Sequence, residues 1–128
     1  MDREYAIPDD RIIEKTLIEI MRRHKLIETQ KELGRQVKKI IKEKNPKYRV
    51  SEERIKKIAA LSPEIGIRVE MRRSKRKILR CPCCKGELKE REIPNLFGGT
   101  SSLKKCERCN FEILKDDKVP RKYSFMIR

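Results

Sequence analysis

Two Cys-x-x-Cys pairs, Cys81 with Cys84 and Cys106 with Cys109, constrain this chain more than any other feature. A two-residue gap lets one tight turn present both sulfurs of a pair, and two such turns complete a tetrahedral Zn²⁺ site. The spacing therefore predicts one structural zinc held by Cys81, Cys84, Cys106 and Cys109, with no open position for catalysis. Gly86, two positions after Cys84, is expected to supply positive φ, and Asn110, directly after Cys109, an αL turn. Cys83 is the odd cysteine. A pairing through it would leave a single residue between it and Cys81, so Cys84 is the favoured ligand. Paired disulfides or plain buried thiols are the competing reading, and nothing else in the sequence suggests an oxidising compartment.

The chain has 128 residues, with 35 Lys/Arg against 20 Asp/Glu and a net charge of +15. The excess is shared: residues 1–77 hold 23 basic and 13 acidic side chains, and residues 78–128 hold 12 and 7. A solvated surface normally balances its signs, so this excess predicts a polyanionic partner. The charged, Lys/Glu-rich and glutamine-poor composition resembles hyperthermophile proteins and suggests an archaeal, thermophilic source. The charged N-terminus lacks an apolar signal core, and no stretch approaches the ~20 apolar residues of a membrane span. A cytoplasmic protein without a membrane partner is expected.

Hydrophobic period divides the chain. Ile13, Leu17, Ile20 and Met21 share one helical face within residues 9–25, with Asp9 and Asp10 at the positive end of the helix dipole. Thr29 and Glu32 form a capping-box pattern ahead of Leu33, Val37, Ile40 and Ile41, and Asn45-Pro46 stops that second helix. Tyr48-Arg49-Val50 reads as a short extended link. Ser51 caps a third helix, Glu52 to about Leu61, with Ile55, Ile58 and Ala59 inward and Arg54, Lys56 and Lys57 outward. After Gly66, alternation of Ile67, Val69 and Met71 with charged residues marks a strand, residues 73–76 a turn, and residues 77–80 a return strand. Residues 87–93, 102–105 and 111–114 read as short strands, and residues 123–128 either add a final strand or pack back on the helices.

Three helices followed by a basic hairpin resemble a winged helix-turn-helix domain, and the two cysteine pairs among short strands resemble a zinc ribbon. The expected fold is α+β: a three-helix winged helix-turn-helix over residues 1–80, then a small antiparallel β zinc ribbon over residues 81–128. A module of about 50 residues needs a staple such as a metal to fold. The resemblance, similar in parts to archaeal transcription regulators and transcription factor E, implies a nucleic-acid-binding protein, with DNA favoured over RNA. It implies contacts from Arg54, Lys56 and Lys57 on the third helix and from Arg72, Arg73, Lys75, Arg76 and Lys77 on the wing. Residues 68–80 independently carry seven basic side chains and one acidic one, a density suited to phosphates or to plain solvation.

Other readings are weaker. Glu52 and Glu53 at the start of the third helix oppose phosphates, which leaves room for an RNA-binding, ribosome- or translation-associated protein. A protein–protein adaptor in a transcription complex is the third reading. Arg80, Lys85, Lys104, Lys105 and Arg108 surround the ligands and are expected to offset the −2 formal charge of a Zn(Cys)₄ centre. Phe97, beside Gly98, offers a stacking platform for single strands, though loop packing is the blander role. His24, the sole histidine, reads as a helix-surface residue. With no glycine-rich phosphate loop and no convincing triad, the chain is not expected to be an enzyme.

Overall fold

Local signals in the sequence set the three helices. The computed structural model describes residues 6–76, 78–109, 111–113 and 118–128. Helix α1 spans Asp10–His24, and Asp9 caps it by accepting from the Arg11 N–H at 2.8 Å. Helix α2 spans Gln30–Lys44, with Thr29 Oγ1 accepting from the Glu32 N–H at 3.1 Å. The Glu32 carboxylate does not complete a capping box; it turns to Arg35 and Gln36 instead. Helix α3 spans Glu52–Leu61 behind a Ser51 cap and ends at Ser62-Pro63.

The chain divides into two compact units, Met1–Val69 with Lys122–Arg128, and Glu70–Arg121. The division differs from a cut at residue 80 at two places: residues 70–80 fall with the second unit, and the last seven residues fall with the helices. In the helical unit, Ile13, Leu17, Ile20 and Met21 of α1 meet Leu33, Val37 and Ile41 of α2 and Ile55 and Ala59 of α3. Phe125 from the C-terminal strand completes this core and is fully buried. Each of these side chains except the small Ala59 contributes about 1.5–3 kcal/mol by leaving water. Gly34 brings α2 close to the start of α3: a Cβ there would lie 2.9 Å from Glu52 Cγ.

A three-stranded sheet flanks the helices in the order β1-β6-β2, where β1 is Leu26–Ile27, β2 Ile65–Arg73 and β6 Lys118–Ile127. Leu26 pairs with Met126 and Ile27 with Phe125, antiparallel. The sequence reading missed β1, which is too short to show a period, and it gave β2 a different partner. The expected return strand at 77–80 is not the neighbour of β2: Ile78 and Leu79 are outside any strand, and Arg80 makes only an isolated bridge to Glu87. Lys77 lies outside the described residues. Burial explains the choice, since pairing with β6 brings Phe125 into the helical core and sets Met126 against Gly66.

The second unit contains its own antiparallel sheet, β3-β4-β5, with β3 Leu88–Pro94, β4 Thr100–Cys106 and β5 Glu112–Ile113. Strands β3 and β4 pair along their full length, from Leu88 opposite Cys106 to Pro94 opposite Thr100. The result is one hairpin with the cysteines at its base and residues 95–99 at its tip.

Candidate metal centre and basic surfaces

Cys81, Cys84, Cys106 and Cys109 converge: their sulfurs all lie within 4.8 Å of one another. Cys81 Sγ is 3.3 Å from Cys109 Sγ, and Cys84 Sγ is 3.5 Å from Cys106 Sγ. Both separations far exceed a disulfide bond of about 2.0 Å. They suit a metal centre instead, because Zn–S bonds of about 2.3 Å place tetrahedral sulfurs about 3.8 Å apart. The four residues can hold one metal ion, and their number and thiolate chemistry are compatible with a single structural zinc. Cys81, Cys84 and Cys106 are buried, and Cys109 is partly covered.

Two turns build the centre. In the first, the Lys85 N–H donates to the Cys81 carbonyl and the Cys81 N–H to the Gly86 carbonyl, both at 2.9 Å. Positive φ falls on Lys85, at 63°, and not on Gly86 as the sequence suggested. Gly86 serves a different need. A Cβ there would sit 3.2 Å from Cys84 Sγ, 3.3 Å from Cys106 Sγ and 3.1 Å from Arg108 Cδ, so any larger residue would make the two sulfurs give by a few tenths of an ångström. In the second turn the Cys106 N–H donates to the Phe111 carbonyl at 2.7 Å. Asn110, expected to adopt αL, lies outside the described residues.

Cys83 is buried but does not join the four sulfurs. It acts on Cys81: a hydrogen bond from the Cys83 thiol, helped by backbone N–H groups, pulls Cys81 down to about 4 against the opposing effect of burial. Burial pushes the Cys84 and Cys109 thiols upward. One thiolate thus faces two groups that resist ionisation, and a bound cation is what would hold all of them charged. Arg108 lies over the first turn at Gly86, and Lys89 is bonded to Glu107 at 3.2 Å.

No protein-family model, curated protein or solved structure matches this chain. Function therefore has to be argued from these side chains.

The residues expected to meet nucleic acid fare unequally. On α3, Lys57 is exposed, but Arg54 is tied to Asp10 at 2.5 Å and its side chain is only 28% exposed. Lys56 does not face outward: its side chain is 5% exposed, bonded to Glu53 at 3.3 Å and placed 4.3 Å from the Tyr123 ring centroid. Tyr123 arrives on β6, so the helical period of α3 alone could not reveal this cover. Arg72 and Arg73 at the end of β2, and Lys75 and Arg76 after it, are all exposed. Ser74 shapes the bend by accepting from the Arg76 N–H at 3.1 Å.

One feature escaped the sequence reading, and at Phe97 the structure departs from the loop packing that reading favoured over a stacking platform. Arg23, His24, Arg35 and Lys39 line a cleft of about 350 Å³ between α1 and α2. Its signal was the basic last turn of α1 facing Arg35 and Lys39 at helical i,i+4 spacing. Arg35 is shared with Glu32, whose carboxyl is lowered to about 2 by hydrogen bonds from Arg35 and Gln36. Phe97 is not packed in its loop; it is 96% exposed, and Leu96 beside it is 99% exposed.

Proposed function

We propose that this protein is a zinc-stabilised nucleic-acid-binding protein that docks on phosphates. The observation carrying this reading is the run Arg72, Arg73, Lys75 and Arg76: four exposed cations within five residues, none paired with a described carboxylate. Such a run repels itself unless anions stand against it, and nucleic acid supplies anions at regular spacing. In this reading the helical unit is a winged helix whose small sheet is β1-β6-β2. The segment between β2 and β6, cysteines included, then stands where a wing loop would be. Zinc ligated by Cys81, Cys84, Cys106 and Cys109 would be structural, since four thiolates leave no position for substrate. The order of elements supports this reading and, with it, duplex DNA and a transcription role as the first target.

RNA is the second reading, and the state of α3 favours it. Groove readout needs free donors near the start of the helix, yet Arg54 is engaged, Lys56 is buried, and Glu53, Lys57 and Leu61 are what the outer face offers. An adaptor that binds protein remains the alternative outside nucleic acids.

One titration series separates the three. Binding of labelled duplex DNA and of RNA is measured against salt for the wild type, for Arg73→Ala/Lys75→Ala/Arg76→Ala, and for a control triple variant on exposed lysines, Lys42→Ala/Lys44→Ala/Lys47→Ala. The first triple should lower the salt slope by about 0.7 to 0.9 per lost phosphate contact, and the control less. Equal losses would mean diffuse use of charge. Failure of the wild type to bind either polymer at low salt would overturn the reading in favour of an adaptor.

A further inference from the structure

The tip of the β3–β4 hairpin presents two large apolar side chains almost wholly to solvent. Leu96 is 99% and Phe97 96% exposed. Scattered single apolar residues on a surface are ordinary, but these two adjoin Ile93, Pro94 and Ser101 around an open, shallow apolar hollow. The turn that carries them is well braced. Asn95 Oδ1 accepts from the Phe97 N–H at 2.9 Å and from the Gly99 N–H at 3.1 Å, and the Asn95 N–H donates to the Gly99 carbonyl at 2.9 Å. Asn95 Nδ2 adds a bond to Ser101 Oγ at 3.3 Å, and Gly98 takes the positive φ of 83° that the turn requires. The backbone that carries the ring is thus already ordered before anything covers it.

Charge says what covers it. Residues directly opposite in an antiparallel pair share a sheet face. Lys89 with Lys105, Arg91 with Leu103, and Ile93 with Ser101 therefore lie on one face of the hairpin, while Glu90 and Glu92 lie on the other with Lys104 and Ser102. The face that ends at the apolar hollow is thus the cationic one. Glu107 holds Lys89 and Glu112 lies across from Lys105, but Arg91, the cation nearest the tip, is exposed and stands opposite Leu103. The unit as a whole is basic, with 15 Lys/Arg against 8 Asp/Glu over residues 70–121. A flat, apolar partner joined to a negative backbone fits this surface.

We infer that the hairpin tip is a stacking site for an unpaired nucleobase, with Phe97 against the base, Leu96 and Ile93 flanking it, and Arg91 on the adjoining phosphate. Every base has a π-face, so the site tolerates any sequence, and an unpaired base is preferred because a paired one must first be unstacked. The unpaired strand can come from melted DNA or from RNA; the contacts are the same for both. This inference rests on the proposed nucleic-acid-binding function and adds its substrate class.

The chain has no tryptophan, so Phe97→Trp places a single reporter at the tip. The full-length zinc-loaded protein is titrated with oligo(dT), with oligo(U) and with a duplex of equal length. Phe97→Ala should weaken binding of the single strands about fivefold to 150-fold, the range of one base–aromatic stack. Salt slope and metal content should stay unchanged. Phe97→Trp should keep wild-type affinity, and its emission should be quenched by the single strand. Quenching by oligo(dT) and oligo(U) alike points to a site blind to the sugar, and quenching by one alone identifies the source. Wild-type-like binding by Phe97→Ala, or unquenched tryptophan on a bound strand, overturns the stacking site while leaving phosphate docking intact. Absence of all binding overturns both. Blue-shifted, brighter emission on anionic vesicles or with rising protein concentration, without quenching by oligonucleotide, shows an apolar partner instead and also refutes the proposal.

Discussion

Replacing Lys56 distinguishes a lysine that meets phosphate from one that builds the helical unit. Lys56→Ala deletes three methylenes from a side chain that is 5% exposed. At about 0.8 kcal/mol per buried CH₂ this costs about 2.4 kcal/mol. Loss of the ammonium over the Tyr123 ring adds about 1 kcal/mol. The Glu53 partner is 55% exposed, so loss of this one ion pair adds little. The total is about 3 kcal/mol, which for a unit of this size lowers the melting temperature by about 12–24 °C. Lys56→Met keeps the buried stem and should lower it by about 4–8 °C. The assay is a thermal melt of the full chain followed by helical circular dichroism, with nucleic-acid affinity measured well below the transition. Both variants should bind as the wild type does while folded. A Lys56→Ala protein that melts like the wild type but binds weakly would refute the burial of this side chain and restore it to the contact surface.

Metal analysis should find one equivalent in the wild type and in Cys83→Ser, and far less in Cys84→Ser or Cys106→Ser, because Cys83 stands outside the four converging sulfurs. Chelation should abolish the β3–β4–β5 sheet and leave most of the helical signal, since the helices have their own core; collapse of both would show one cooperative unit. Gly86→Ala crowds two sulfurs and should weaken metal affinity about tenfold or more in a chelator competition, whereas Lys85→Gly relieves a positive φ and should retain the metal. Glu32 has a folded pKa of about 2 against an ordinary 4.5, so its stabilising contribution is present above pH 4.5 and is lost as pH falls toward 2. Glu32→Gln should remove that part of the acid limb, and an unchanged limb would show that the Arg35 pairing contributes nothing.

Local patterns were legible in the sequence and distant choices were not. The helix faces of α1 and α2 follow from a 3.6-residue period, the start of α1 from the acidic pair Asp9 and Asp10 and that of α2 from Thr29, each within a few residues of the structure it sets. The cysteine set followed from spacing. The partner of β2 did not, because alternation says that a strand has a buried face without saying what lies beside it. Lys56 shows the same limit: α3 offers it to solvent by period, and Tyr123, remote in sequence, covers it. Phe97 fails in the opposite sense. An aromatic in a basic chain with few aromatics invites a packing role, yet the Asn95 turn holds it outward.

The position of the cysteine-bearing segment follows from the same contrast between local and distant interactions. Strands β2 and β6 are neighbours in one sheet, so the chain that leaves one returns beside it. Everything between must fold without drawing on the helical core, and a segment of this size has too little apolar surface to do so unaided. The second unit buries few large side chains: among the described residues, Ile78, Cys81, Cys83, Cys84 and Cys106 are the apolar ones that are buried there. A metal ion held by Cys81, Cys84, Cys106 and Cys109 would supply what that core lacks and close the base of the hairpin. The tip is then free of any packing duty, which is why Leu96 and Phe97 can remain exposed without cost to the fold. Loss of metal should therefore disable stacking at Phe97 while the helices still stand, and a chelated protein that still quenched a tryptophan at position 97 would show that the hairpin holds its shape without the clamp.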